Sequence, residues 1–278
     1  MEELELLLDL DRRVKLASSQ HIRRRVLFDT LKADKGRHMV GIVGPRGAGK
    51  TILLQQLAAE SENGFYLSAD TLKKDTDLFQ IVQFLSERYG FKQFFVDEIH
   101  FLDKSIGALK QIYDFLELKI VFTSSVALQI HEAGYDLARR VQLYRLDYFS
   151  YREYLEFRNE ERLPILPFEK LITGKVDPHH LRIGAQFNDY LSGGLLPFSL
   201  EEPDPLPLLK GTLETIITKD IPRFLRLKVD ELETLRRLIV FVGSSGVDGI
   251  NYSSLSANLG ITKYKACLLY TSPSPRDA

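Results

Sequence analysis

Eight consecutive residues, Gly44-Pro45-Arg46-Gly47-Ala48-Gly49-Lys50-Thr51, fit the spacing G-x-x-x-x-G-K-[ST]. The chemistry of such a string is phosphate binding. Glycines let consecutive N–H groups curl round phosphate oxygens, and a helix that begins at Lys50 turns its positive end toward them. Lys50 then reaches the β- and γ-phosphates as a point charge, and the Thr51 hydroxyl is placed to ligate Mg²⁺. The plain alternative is a glycine-rich turn before a helix. An apolar run ahead of the string and a helical pattern after it favour the phosphate cradle.

A second cluster lies at Phe94-Phe95-Val96-Asp97-Glu98, where an apolar run ends in two acids. If the run is a strand, Asp97 sits at the ligand edge and can hold a hydrated Mg²⁺, while Glu98 can orient or deprotonate an attacking water. Asp97 follows Lys50 by 47 positions, room for one strand-helix unit between them. The glutamate beside the aspartate favours ATP hydrolysis over GTP hydrolysis, and no N-K-x-D guanine-reading string occurs in the chain. A third run, Ile120-Val121-Phe122-Thr123-Ser124-Ser125, ends in small hydroxyls. Thr123 and Ser124 are candidates to bond a γ-phosphate or the lytic water; a helix N-cap at Ser124 or Ser125 is the other reading.

These residues need strands to end beside them. From His38 the chain alternates apolar strand candidates (Met39–Val43, Gly64–Leu67, Gln93–Val96, Lys119–Thr123, Val141–Leu146) with helical patterns at Lys50–Ala59, Asp77–Tyr89 and Ser105–Leu116. Leu78, Ile81, Val82 and Leu85 fall on one helical face. Such alternation predicts an α/β fold, a parallel sheet flanked by helices with ligands at the strands' C-terminal edge.

Length and composition agree. The 278 residues suggest roughly two domains. With 37 basic against 38 acidic residues, a chain-wide basic nucleic-acid surface is excluded, though a local patch is not. One cysteine excludes an intrachain disulfide and a multi-thiolate metal site. No apolar run reaches 18 residues and the first residues are acidic, so neither a membrane span nor a secretory leader is expected. A cytoplasmic chain that does not engage membranes is the expectation.

The motifs together resemble the AAA+-like P-loop ATPases of bacteria and archaea that carry a C-terminal winged-helix region. The shared elements are Gly44–Thr51, Asp97–Ile99, the strand end Thr123-Ser124-Ser125, Leu137-Ala138-Arg139-Arg140, the aromatic stretch Leu146–Tyr154, Tyr190-Leu191-Ser192-Gly193-Gly194 and Lys219-Asp220-Ile221. Here Ser124 replaces a customary glycine, Arg139 stands where glycine is usual, and Tyr148 stands where proline is usual. The resemblance implies ATP and Mg²⁺ as ligands and an arginine finger at Arg140 directed at a neighbouring subunit of a homo-oligomer. It also implies a helical lid followed by a winged helix.

The expected organisation is an N-terminal helical segment over 1–36, a P-loop core over 37–157, a lid over 158–228 and a truncated winged helix over 229–266. Residues 267–278 resemble the translation of a sequencing-library adapter; on that expectation the natural reading frame runs only to about Ala266. The basic knot Arg23-Arg24-Arg25 reads as a solvated helix face, or else as a neighbour of the nucleotide. Tyr148, Phe149, Tyr151, Tyr154 and Phe157 read as packing between core and lid rather than base stacking. His179-His180 lacks ligand spacing, so no zinc site is expected. Residues 210–266 carry nine basic and six acidic residues, a mild excess compatible with a DNA or protein client. Two functions follow: an ATP-driven switch or remodeller, or a non-hydrolysing ATP-binding DNA-associated or regulatory module. A small-molecule P-loop kinase is disfavoured by the acid pair and the appended helices.

Overall fold

A computed structural model describes residues 2–18, 20–125, 137, 139–160, 165–176, 183–224, 229–246 and 251–271. Residues 1–209 and 210–278 form two compact units. The boundary falls inside the 158–228 segment expected as a lid.

The first unit is built on five parallel strands: β1 (Met39–Val43), β2 (Gly64–Ser68), β3 (Gln93–Asp97), β4 (Lys119–Ser124) and β5 (Val141–Arg145). Their order is β2-β3-β4-β1-β5. Helices α1 (Glu2–Ser18), α2 (Leu27–Ala33), α3 (Lys50–Ala59), α4 (Leu78–Tyr89) and α5 (Ser105–Phe115) accompany it. The sequence pattern located every strand to within one residue.

Alternate residues of the strands feed two cores, as the two-residue period of a strand demands. Phe94, Val96, Ile120 and Phe122 pack with Leu78, Val82, Leu85, Leu109 and Ile112 on one face. Phe95, Val121, Val40 and Ile42 pack with Phe28, Leu53, Leu54 and Leu57 on the other. Burial on both faces explains why β1 to β4 read as nearly continuous apolar runs, whereas β5 stays partly exposed. The helix α4 is fixed at both ends: Asp77 caps the N–H groups of Phe79 and Gln80, and Gly90 closes it at φ +78°.

β2 is an edge strand, and α1 covers it. Asp11 accepts the Tyr66 N–H at 2.7 Å, and Lys15 donates to the Gly64 carbonyl at 2.5 Å. Two outward-facing backbone groups of the edge are thereby satisfied, which blunts the edge against foreign pairing. Residues 21–25, between α1 and α2, belong to neither helix nor strand. Tertiary demands at Arg25 override the helical tendency of the basic knot there.

Beyond β5, the helix Tyr151–Asn159 opens with a capping box between Ser150 and Glu153. Phe149, Tyr154 and Leu155 are buried there, with Tyr151, Phe157, Tyr190 and Leu200 around them. The Tyr190 hydroxyl donates to the Phe149 carbonyl at 2.7 Å, and a side chain at Gly194 would stand 2.5 Å from the Tyr154 ring. The aromatic stretch is therefore packing, as its composition suggested. His179 and His180 lie outside the described residues.

In the second unit, helices Val229–Ser244, Tyr252–Leu259 and Lys263–Thr271 surround Ile217, Leu235, Leu238, Leu255, Leu259 and Ala266. Asn251 caps the second helix and Gly260, at φ +66°, ends it. A helix, a glycine turn and a helix with a basic start follow in order. The last helix runs into the first residues of the expected adapter-derived tail. Among the described residues no helix is long and apolar enough to cross a membrane.

Candidate active site

Parallel strands bring the ends of β1, β3 and β4 to one edge, and each end carries one of the chemical motifs. β4 lies between the other two. Its register sets Ser124 beside Val43 and Phe122 beside Val96. Thr123 is thus level with the acids.

After Val43 the chain turns through the glycine-rich loop into α3. Gly44 has no room for a side chain: a Cβ would meet the Leu146 carbonyl oxygen at 2.0 Å. Gly47 and Gly49 adopt φ +80° and +90°, the left-handed region where other residues are strained. No side chain caps α3, and its first turn holds no acid, so the positive end of the helix is left for an anion. Lys50 is buried, and its ammonium donates to the carbonyls of Gly44 at 2.8 Å and Pro45 at 2.9 Å. The loop is wrapped around its own lysine.

Asp97 ends β3 and is buried. Its carboxylate accepts the Thr123 hydroxyl at 2.5 Å and the Tyr66 hydroxyl at 3.0 Å, and the Thr51 hydroxyl lies near it. Burial pushes the Asp97 carboxyl up, and its hydroxyl neighbours Thr123 and Thr51 work against that rise. Burial also pushes the Tyr66 phenol up, so Tyr66 stays a donor toward Asp97. Thr51 and Asp97 thus stand near each other as an all-oxygen pair. Such a pair suits Mg²⁺, which takes one or two protein ligands and completes its shell with water and phosphate oxygens. Among the described residues no group of three or more His, Cys, Asp or Glu side chains is placed to hold a metal ion.

Glu98 adopts φ +49° and ψ +47°, rare for a residue with a side chain. Its N–H donates to Thr123 Oγ1 at 2.8 Å, and its carboxylate accepts the Ser125 N–H at 3.3 Å and faces His100 Nδ1 at 3.2 Å. Ser124 Oγ is 3.3 Å from the same His100 nitrogen. Thr123 and Ser124 thus engage the acids and their histidine neighbour. His100 and Tyr66 were missed from sequence; the signal for His100 was its place two residues past Glu98 on the short turn Ile99–Phe101.

A cleft of about 1240 Å³ opens over the loop, lined by Ile22, Arg46, Lys50, Thr51, Glu98 and Phe198 among others. Arg23, Arg24 and Arg25 also line it, so the basic knot borders this cleft and is not a helix face. A second hollow of about 770 Å³ lies near Asp34, Arg37, Lys92 and Lys119, at the N-terminal ends of the strands. Arg140 is also at that far edge: it immediately precedes β5, and its guanidinium grips Asp114 at 2.9–3.0 Å. It is not brought to this chain's own loop.

A parallel sheet with a glycine-rich phosphate loop after β1 and an acid pair after β3 defines a P-loop NTPase fold. The P-loop unit is AAA+-like: residues 36–155 match a family model described as an AAA domain. No curated protein matches the chain. Among solved structures, PCH-2 of C. elegans is 14% identical, with 96% of this chain and 68% of that one covered at a TM-score of 0.35. AMPPCP-bound DnaA of Aquifex aeolicus is 13% identical over 88% and 84%, at 0.32. A structure concerned with katanin self-assembly is 15% identical over 96% and 83%, at 0.35. Likeness at this level says nothing of substrate or partner.

Proposed function

We propose that the chain binds ATP with Mg²⁺ and hydrolyses it, serving as a nucleotide-driven switch or remodeller. The observation that carries the reading is the convergence at one sheet edge of Lys50, folded into the glycine-rich loop, and the acids Asp97 and Glu98, which the Thr123 hydroxyl ties together. Backbone N–H groups of Gly47 to Thr51 cradle the phosphates, and Lys50 exchanges its loop carbonyls for phosphate oxygens. Thr51 and Asp97 would hold Mg²⁺, which supplies charge neutralisation at the phosphates when bound. Glu98 orients a water and takes its proton, with Ser125 and His100 setting the direction of its carboxylate. Arg140, at the far sheet edge, is proposed as an arginine finger for the site of a neighbouring copy in a homo-oligomer.

Calorimetric titration with Mg·ATP tests the binding step. Wild type binds, and Lys50→Ala loses at least hundredfold in affinity. Undiminished affinity in that variant rules the reading out.

A further inference from the structure

Arg25 is the one member of the basic knot that is buried, and it makes its contacts to three separate parts of the first unit. Its Nη1 donates to the carbonyl of Ala48 inside the phosphate loop. Its Nη2 donates to the Asp147 carbonyl at 2.8 Å, just after β5. Its Nε and Nη2 grip both oxygens of Glu153 at 2.8 and 3.2 Å, and its guanidinium lies over the Phe149 ring at 4.9 Å. Glu153 is itself held by the Val26 N–H and by Ser150. The guanidinium is therefore rigidly seated.

From this we infer that Arg25 is a positioning residue for phosphate binding, the latch that sets which way the Ala48–Gly49 peptide faces. A trans peptide is planar, so its carbonyl and its N–H point in opposite directions. Fixing the Ala48 carbonyl on Arg25 turns the Gly49 N–H away from Arg25. That peptide needs a latch. Gly49 has no Cβ and sits at φ +90°, so rotation of the Ala48–Gly49 plane meets no side-chain barrier on the glycine side. A rotated plane would offer the phosphates a carbonyl oxygen in place of a donor. Pairing with Glu153 neutralises Arg25, so it orders the loop without competing with Lys50 for the anion.

The inference rests on the ATP-binding reading, and its test separates the two. The double variant Arg25→Met/Glu153→Gln removes the latch without leaving a lone buried carboxylate. Titrations of the full chain with ATP, inorganic tripolyphosphate and AMP are compared with wild type, beside circular dichroism and a urea melt. The latch predicts at least tenfold weaker ATP and tripolyphosphate binding with AMP affected less than threefold. Equal losses for all three ligands, or unchanged ATP affinity, overturn the latch while leaving ATP binding intact. If the double variant does not fold, Arg25→Lys keeps the charge opposite Glu153 but cannot span Ala48, Asp147 and Glu153 together. A folded Arg25→Lys protein is then expected to lose at least threefold for ATP, and wild-type affinity there overturns the latch. A wild-type chain that binds neither ATP nor tripolyphosphate removes both readings.

Discussion

The hydroxyl of Thr123 joins the two acids of the site: it donates to Asp97 Oδ1 at 2.5 Å and accepts the Glu98 N–H at 2.8 Å. The second bond helps hold Glu98 in a left-handed conformation that costs about 1–2 kcal/mol for a residue with a side chain. Thr123→Val keeps the shape and removes both bonds. It is expected to cost about 1–3 kcal/mol, the penalty for buried polar groups left unpaired. Turnover should fall at least tenfold, with Thr123→Ser close to wild type. Urea melts and phosphate release report the two effects.

Two glycines separate crowding from conformation. Gly44→Ala would drive a methyl into the Leu146 carbonyl, whose own N–H pairs with Val43 at 2.8 Å. The backbone must move, so a loss of about 3 kcal/mol or more, or failure to fold, is expected. At Gly90 nothing stands within 4 Å of an added Cβ, and only φ +78° opposes it. Gly90→Ala should cost about 1 kcal/mol. Matching urea midpoints for the two variants would contradict the crowding assigned to Gly44.

Burial alone would raise the Glu153 carboxyl, but the hydrogen bonds and charge of Arg25 outweigh it and hold the group below the usual glutamate range. A depressed carboxyl contributes stability above its unfolded value and loses it as the pH falls through the folded one. Wild-type stability should therefore decline as the pH drops below the ordinary glutamate range of about 4–5. Glu153→Gln should be less stable at neutral pH and show a shallower acid limb. Urea midpoints between those conditions check the sign, and parallel pH profiles would contradict it.

Arg140 is predicted to matter for turnover and not for this chain's own nucleotide affinity. Arg140→Ala is expected to bind ATP as wild type does and to lose about 10³–10⁵ in turnover if it acts as a finger in trans. Unchanged turnover would leave the Asp114 contact as the whole of its role.

How much was legible in sequence follows from how local each signal is. β1 to β4 announced themselves because both faces are buried, and the loop did because phosphate binding imposes its own spacing. Asp97 was found through its neighbours in the chain. Tyr66 and Arg25 were not, because their partners lie across the sheet or more than a hundred residues away, and no spacing rule encodes such contacts. Of the knot at Arg23–Arg25, the first two are exposed as a charge run suggests, while Arg25 is buried because a distant carboxylate claims it. Arg140 came from a resemblance alone, and its place at the far edge shows why the residues of one chain could not assign it.

The central claim is that Asp97 and Glu98 hydrolyse what the loop binds. Phosphate release by wild type and by Glu98→Gln, each with ATP affinity measured alongside, tests it most directly. The account predicts Mg²⁺-dependent release by wild type and at least a hundredfold loss in the variant, with ATP affinity retained. Equal release by both proteins would contradict it, as would a wild type that binds ATP and never releases phosphate.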